Sequence, residues 1–178
     1  MKLPTRRAST RRKNCGRWLK EAGTRWKKEE RTLQPILIKN GDETLAIIIR
    51  GDEQDDGIHF FTPDDYSQQL AYMHHPTGKL IKPHVHNVVH REVHYTQEVL
   101  VMKRGRLRVD FFDQEQRYLK SDILNAGDLI LLSSGGHGFE VLEEVEMYEI
   151  KQGPYAGDAD KTRFEYRVEH PVFEEEDV

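Results

Sequence analysis

Short apolar runs bounded by glycine, proline and aspartate fill the middle of the chain and restrict it to a β-fold. The run at 45–50, Leu-Ala-Ile-Ile-Ile-Arg, lies between two Gly-Asp pairs. Runs of this length, rich in β-branched residues and flanked by turn residues, are typical of strands. Other runs of this kind lie at 58–62, 68–74, 98–103, 106–112, 117–124, 129–132, 138–142 and 145–151. Many short strands at near-even spacing predict an all-β antiparallel sandwich or barrel.

Turn residues between the runs predict how the strands connect. Arg104-Gly105 separates two apolar runs and predicts a hairpin, and Glu143-Glu144 predicts the turn of the last strand pair. The spacing also predicts a strand that carries His84 and His86. The Gly153-Pro154 pair then ends the barrel, since both residues interrupt a strand.

Composition divides the chain into three predicted parts: a basic arm with a helix at 1–34, a barrel at 35–153 and an acidic tail at 154–178. Residues 1–31 hold twelve Lys/Arg and three Glu, a balance of +9, whereas the remainder holds fifteen Lys/Arg and twenty-eight acids, a balance of −13. The acidic body disfavours nucleic acid, which only the basic arm could contact. In the tail, apolar residues alternate at 164–168 and could form an additional edge strand.

A helical pattern follows the basic arm. Apolar residues at i, i+1, i+4 and i+8 form a narrow stripe among Lys, Arg and Glu: Trp18, Leu19, Ala22 and Trp26. This spacing predicts a short amphipathic helix over 16–33 that packs on the barrel or on a second subunit. Gly23 in the middle of the stripe weakens a helix.

Cysteine content and hydropathy indicate a cellular setting. Cys15 is the only cysteine, so the chain cannot form an internal disulfide, and a reducing cytoplasm is expected. No run approaches the ~18 apolar residues of a membrane helix, so we expect no membrane association.

Four potential metal ligands lie in the middle of the chain. Successive side chains of a strand alternate between faces, so a strand through this region places His84 and His86 on one face. A carboxylate on a following strand, Glu98, and a later imidazole, His137, complete a donor set that divalent metals use. We therefore predict a site made of three histidines and one glutamate.

The same residues carry a resemblance to the cupin superfamily. Gly78, His84-Val85-His86, Glu98 and Gly105 resemble the first cupin motif, and Gly127, Ser133, Ser134, Gly135 and His137 resemble the second. The resemblance covers about residues 42–152 and implies a double-stranded β-helix, the cupin jelly-roll barrel. It also implies that His84, His86, Glu98 and His137 bind a divalent metal ion (iron, manganese, nickel or zinc) on the inner wall.

An insertion between the ligands predicts a loop over the mouth of the barrel. Eleven residues separate His86 from Glu98, more than the cupin pattern has. His90 and His94 are candidates for proton transfer, because imidazole titrates near neutral pH. Candidate substrate-binding residues are Arg91, Lys82, Tyr95 and Gln97; Arg and Lys suit an anionic group.

Three functions fit these residues. The first is a metal-dependent isomerase, epimerase or dioxygenase that acts on a sugar or another small polar metabolite; the sugar preference rests on the cupin resemblance. The second is a metal-independent nucleotide-sugar isomerase or epimerase that uses histidines as acid–base groups. The third is a regulatory module that binds a small ligand. A homodimer is expected with any of them, because an open barrel must cover its edge strands.

Overall fold

The computed structural model describes residues 31–157 and 160–173, together with the strands at 18–20 and 26–28. The chain divides into two compact units, Met1–Arg31 and Thr32–Val178. In the first unit, β1 (Trp18–Lys20) and β2 (Trp26–Lys28) pair in antiparallel register.

The rest of the described chain is all-β, as predicted. The strands are β3 (Arg31–Thr32), β4 (Ile36–Asn40), β5 (Glu43–Ile49), β6 (Glu53–Gln54), β7 (Gly57–Phe60), β8 (Ala71–His74), β9 (Glu98–Phe112), β10 (Tyr118–Asn125), β11 (Leu129–Leu132) and β12 (Gly136–Lys151). The described residues contain no α-helix, and accordingly none that could cross a membrane.

The main sheet is organised around β9. Six antiparallel strands lie in the order β10-β9-β11-β5-β4, with β12 also paired to β9. β12 follows one edge of β9 along almost its whole length, whereas β11 and β10 share the other edge, at residues 98–101 and 106–112. The described strands leave this sheet open, because β4, β10 and β12 each have a single strand partner. A separate hairpin joins β7 and β8.

β9 bends sharply in its middle, and the inward-facing residues change from even to odd positions there. Leu100 and Met102 are core residues of the first half, and Val109 and Phe111 are core residues of the second. Strict alternation keeps one parity on one face, so an irregularity must lie between the two halves. Gly105, at φ +90°, lies in this interval, and the pairing of β12 also shifts here.

The bend brings the two halves of the sheet face to face. Apolar residues from both halves form one buried cluster: Ile38, Leu45, Ala46, Ile48, Leu100, Met102, Leu107, Val109, Phe111, Leu124, Ile130 and Leu132. β-Branched and leucine side chains of β4, β5 and β11 form one wall, and β10 with the second half of β9 forms the other. This burial drives the fold, at about 25 cal/mol per Å² of apolar surface.

Two predicted turns are wrong. Arg104-Gly105 does not reverse the chain, because β9 continues through it, and Glu143-Glu144 likewise lies within β12. Gly105 has a positive φ, which glycine adopts readily, but this conformation bends a strand instead of closing a hairpin.

Two further predictions differ from the structure. The helix expected over 16–33 is replaced in its described parts by β1 and β2, since aromatic residues also favour strands and Gly23 weakens a helix. No strand forms through His84 and His86; residues 75–97 lack regular secondary structure.

The first part of the C-terminal tail packs on the sheet. The rings of Phe164 and Tyr166 lie 5.1 and 5.0 Å from the ring of Phe112, and the Ser121 amide donates to the Val172 carbonyl (2.7 Å). The described tail residues form no strand, so the edge strand left open by the sequence is absent there. The acidic terminus at 174–178 lies outside the described residues.

Candidate functional site

Glu98 and His137 meet inside the curled sheet. On β9, Glu98 shares the parity of Leu100 and Met102, and His137 on β12 lies opposite Phe111, so both side chains lie on the inner face. Their attachment points are thirteen residues apart along β9, about 43 Å for a straight strand at ~3.3 Å per residue. The atoms His137 Nε2 and Glu98 Oε2 are nevertheless 3.3 Å apart. The bend at Gly105 is therefore what creates this contact.

A lysine completes the cluster. Lys151 lies directly opposite Glu98 across β9 and β12, and its Nζ is 3.3 Å from Glu98 Oε1 and 2.9 Å from Glu149 Oε1. Each oxygen of the Glu98 carboxylate thus has its own nitrogen partner. The Glu98 side chain is only 12% exposed and that of His137 29%, so the pair is shielded but keeps some contact with solvent.

The surroundings of Glu98 stabilise its charged form. The hydrogen bond from His137 is the largest cause, burial acts in the opposite direction, and the Lys151 ammonium adds to the stabilisation. Together they lower the pKa of Glu98 to about 2. The group is therefore an anion at every physiological pH, ready to bind a cation or to orient an imidazole.

This low pKa predicts a pH-dependent stability. Because the folded pKa lies below the ordinary value near ~4.3, the Glu98 contribution is complete above about pH 4.5 and is lost as the pH falls toward 2. We expect the unfolding free energy of the wild type, measured by urea denaturation at stepped pH, to fall more steeply over this window than that of Glu98→Gln. Parallel curves for the two proteins would contradict the assignment.

Aromatic and amide groups flank the cluster. The Phe139 ring lies 5.3 Å from the His137 ring, and Lys151 Nζ lies 5.8 Å from the centre of the Tyr155 ring. Gln97, a predicted substrate-binding residue, is buried; its backbone N–H donates to Gln152 Oε1 (2.8 Å), and its side-chain Oε1 has no hydrogen-bond partner. A buried acceptor without a donor is costly.

The other predicted ligands lie apart from Glu98 and His137. His84 and His86 are exposed, with ring centroids 5.2 Å apart, and His84 Nδ1 lies 3.1 Å from the Lys82 carbonyl. Within the described part of the chain, no three His, Cys, Asp or Glu side chains are grouped so that they could hold a metal ion. The two imidazoles are thus adjacent to each other, as the sequence indicates, but they are not grouped with Glu98 and His137.

The predicted loop residues also lie in the exposed segment. These are Lys82, His90, Arg91, His94 and Tyr95, all on the surface. Among them His94 has an ionic neighbour, since its Nε2 lies 3.9 Å from Glu92 Oε2. Neither candidate for proton transfer is buried.

Sequence reasoning missed Lys151. Its importance follows from its position opposite Glu98, and cross-strand register cannot be read from a single strand pattern. The alternation of Glu149 and Lys151 on one face of the last apolar run was the available signal.

Comparison with known proteins adds no relative. No protein-family model, curated protein or solved structure matches the chain. The cupin assignment therefore rests on the motif residues.

Proposed function

We propose that this protein binds a divalent metal ion through Glu98 and His137, with His84 and His86 as the remaining ligands. The observation that carries the proposal is the 3.3 Å contact between Glu98 and His137, two predicted ligands from opposite halves of the sheet. A carboxylate and an imidazole, together with a second histidine pair, form a donor set suited to iron, manganese, nickel or zinc. The histidine pair would complete the set when residues 79–95 dock beside β12, the strand that carries His137.

The proposed activity is that of a small enzyme on a polar metabolite. When bound, the ion would supply Lewis-acid chemistry. Arg91 and Lys82 would bind an anionic group of the substrate, and Tyr95 and Gln97 would supply polar contacts. His90 and His94 would transfer protons. By cupin resemblance the substrate class is a sugar or a similar metabolite; a cupin barrel, a cytoplasmic location and a homodimer belong to the same proposal.

Metal titration tests this proposal. We expect the wild type to bind one equivalent of manganese, iron, nickel or zinc by calorimetry. Loss of a ligand in His84→Asn/His86→Asn or in Glu98→Gln should weaken binding at least about tenfold, since even supporting residues contribute that much. His170→Asn, which changes an exposed histidine in the tail, is the matched control and should bind as the wild type does. A wild type that takes up none of these ions would refute the proposal.

A second function, metal-independent acid–base catalysis on a nucleotide sugar, is favoured by the Lys151 contact. An ammonium 3.3 Å from Glu98 already balances the carboxylate that a metal would need, and Glu98 can orient His137 as a proton carrier. Lys151→Met separates the two functions. If Lys151 competes with a metal ion, the substitution should strengthen metal binding. If the protein uses no metal, the variant should still bind none and should bind the nucleotide sugar more weakly.

A further inference from the structure

The strand β12 has an exposed, unpaired edge. It pairs with β9 on one side only, over sixteen residues, and no described strand covers its other side. Several large apolar side chains along it are exposed: Phe139, Val141, Leu142, Met147, Tyr148 and Ile150. A long apolar edge of this kind is a template for pairing with another chain, and natural proteins seldom leave one uncovered.

A second apolar surface lies in the segment 79–95. This segment has no regular structure, and its exposed apolar residues are Leu80, Ile81, Val85, Val88, Val89, Val93 and Tyr95. Val88 has no surface covered at all (104% exposed). Its seventeen residues are about as long as β12, so one surface can cover the other.

We propose that two copies of this chain exchange these segments: residues 79–95 of one copy pair along β12 of its partner, and the reverse. Such an arrangement has two-fold symmetry, which closes the assembly as a dimer. Backbone hydrogen bonds along the free edge supply affinity, and apolar side chains of the two paired strands become neighbours on both faces of the sheet.

The attachment of the segment favours a partner over the same chain. The segment joins β9 through Thr96 and Gln97, which are held by hydrogen bonds to Asp160 (2.7 Å) and Gln152 (2.8 Å). To reach the free edge of its own β12, the chain would have to cross that strand, about 9.6 Å at two strand spacings of ~4.8 Å. Three peptide units reach at most about 11 Å fully extended. The chain between Tyr95 and Glu98 would have to be almost fully extended to cover this distance, so Thr96 and Gln97 would leave the positions that their two hydrogen bonds require. A second copy requires no crossing.

The charges of the two surfaces are complementary. β12 carries five glutamates and one lysine, and segment 79–95 carries three Lys/Arg, one glutamate and four histidines. The carboxylates nearest the bend, Glu143 and Glu144, contact Arg106 and Arg104 but remain 61% and 83% exposed. A carboxylate has acceptor sites for more than one donor, so these groups can receive Lys or Arg from the partner as well.

Exchange would also complete the metal site, a consequence that rests on the proposed function. His84 and His86 of one copy would reach Glu98 and His137 of the partner. A copy with Glu98→Gln and a copy with His84→Asn/His86→Asn would each bind metal at least about tenfold more weakly alone. After co-refolding, half of the sites in a mixed dimer would be intact.

Cross-linking between differently labelled copies tests the exchange directly. In a Cys15→Ser background, one copy carries Val88→Cys and the other Val141→Cys; both residues are exposed, so neither change disturbs the core. After co-refolding and treatment with a short bismaleimide, we expect a mixed dimer by mass spectrometry. The matched control pairs Val88→Cys with Leu37→Cys, an exposed apolar residue on the edge strand β4, and should give little product. Equal yields in both mixtures would overturn the proposal.

Sedimentation equilibrium provides the second measurement. The wild type should be a dimer, and Val85→Glu/Val88→Glu should raise its dissociation constant more than about tenfold, because unpaired charges are costly to bury. A monomeric wild type, or a dimer unaffected by these changes, would overturn the exchange. Since neither measurement involves metal, a cross-linked dimer without metal affinity would reject the proposed function and leave the exchange standing.

Discussion

Gly105→Ala is expected to destabilise the protein by about 2–6 kcal/mol and to separate Glu98 from His137. The backbone at Gly105 has φ +90°, where a side chain adds about 1–3 kcal/mol of strain. A Cβ atom there would also lie 2.1 Å from the carbonyl oxygen of Glu144 on β12. A backbone atom cannot move aside as a flexible side chain can, so overpacking adds about 1–3 kcal/mol. Relief of the clash requires β12 to move away from the bend.

A second glycine with nearly the same φ separates the backbone strain from the clash with Glu144. Gly57 has nearly the same φ, +92°, but a Cβ atom there meets nothing within 4 Å. Gly57→Ala should therefore show the conformational strain alone, by urea denaturation of both variants. The Glu98-dependent loss of stability below pH 4.5 should also disappear in Gly105→Ala and persist in Gly57→Ala. Equal destabilisation of the two variants would show that the approach of β12 to Gly105 is unimportant.

The all-β class could be predicted because it depends on local patterns. The apolar runs at 129–132 and 117–124 became β11 and β10 with bounds that agree within about one residue. Each run is short, contains several apolar residues and is flanked by turn residues, and these properties act within a few residues. Burial of one face then follows from alternation.

The course of β9 and β12 could not be predicted in the same way. A glycine at positive φ between two apolar runs is equally suited to a hairpin and to a bent strand. The choice depends on whether β12 pairs continuously across the bend, which is a long-range property of the sheet. The residue type at Gly105 could therefore not decide between these two structures.

The segment with His84 and His86 shows a second limit. Its apolar residues lie at both odd and even positions, such as Val85, Val88 and Val93, so no single face is apolar. A strand with this pattern gains stability only when both of its sides are covered. Within one copy, the described contacts leave the segment exposed, which is the reason that alternation alone did not produce a strand.

Arg50→Met is expected to lower the unfolding free energy by about 2–4 kcal/mol. Breaking a fully buried ion pair costs ~3–5 kcal/mol, and the cost is smaller here because Arg50 retains some exposure. Arg50 donates to Asp122 Oδ1 (2.7 Å), to Asp128 Oδ2 (3.3 Å) and to the Ile123 carbonyl (3.0 Å). It thereby links the end of β5 to β10 and to the turn before β11. Methionine preserves most of the packing of the side chain but removes the Arg50 cation from two shielded carboxylates.

The hydrogen bonds of Asp128 make the destabilisation by Arg50→Met larger than that expected for an exposed ion pair. Its carboxylate also accepts the amides of Gly51 and Asn125, both at 2.9 Å, so it cannot rotate toward water without releasing two backbone donors. At Gly51 a Cβ atom would lie 2.4 Å from the backbone of Gly127, so the two turns are in direct contact. Loss of Arg50 therefore weakens two turns at once.

An exposed pair provides the control for this prediction. Lys103 Nζ lies 3.7 Å from Glu146 Oε2 with both side chains about half exposed, and Lys103→Met should change the unfolding free energy by less than about 1 kcal/mol. The destabilisation by Arg50→Lys should lie between those of Arg50→Met and Lys103→Met. Lysine keeps the positive charge but lacks the planar guanidinium group that donates to several acceptors at once. Urea denaturation at neutral pH measures all three. Equal losses of unfolding free energy in Arg50→Met and Lys103→Met would contradict this prediction. They would mean that solvent screens the Arg50 ion pairs as fully as the surface pair, and that the turns at Gly51 and Gly127 are held together by their backbone contact alone.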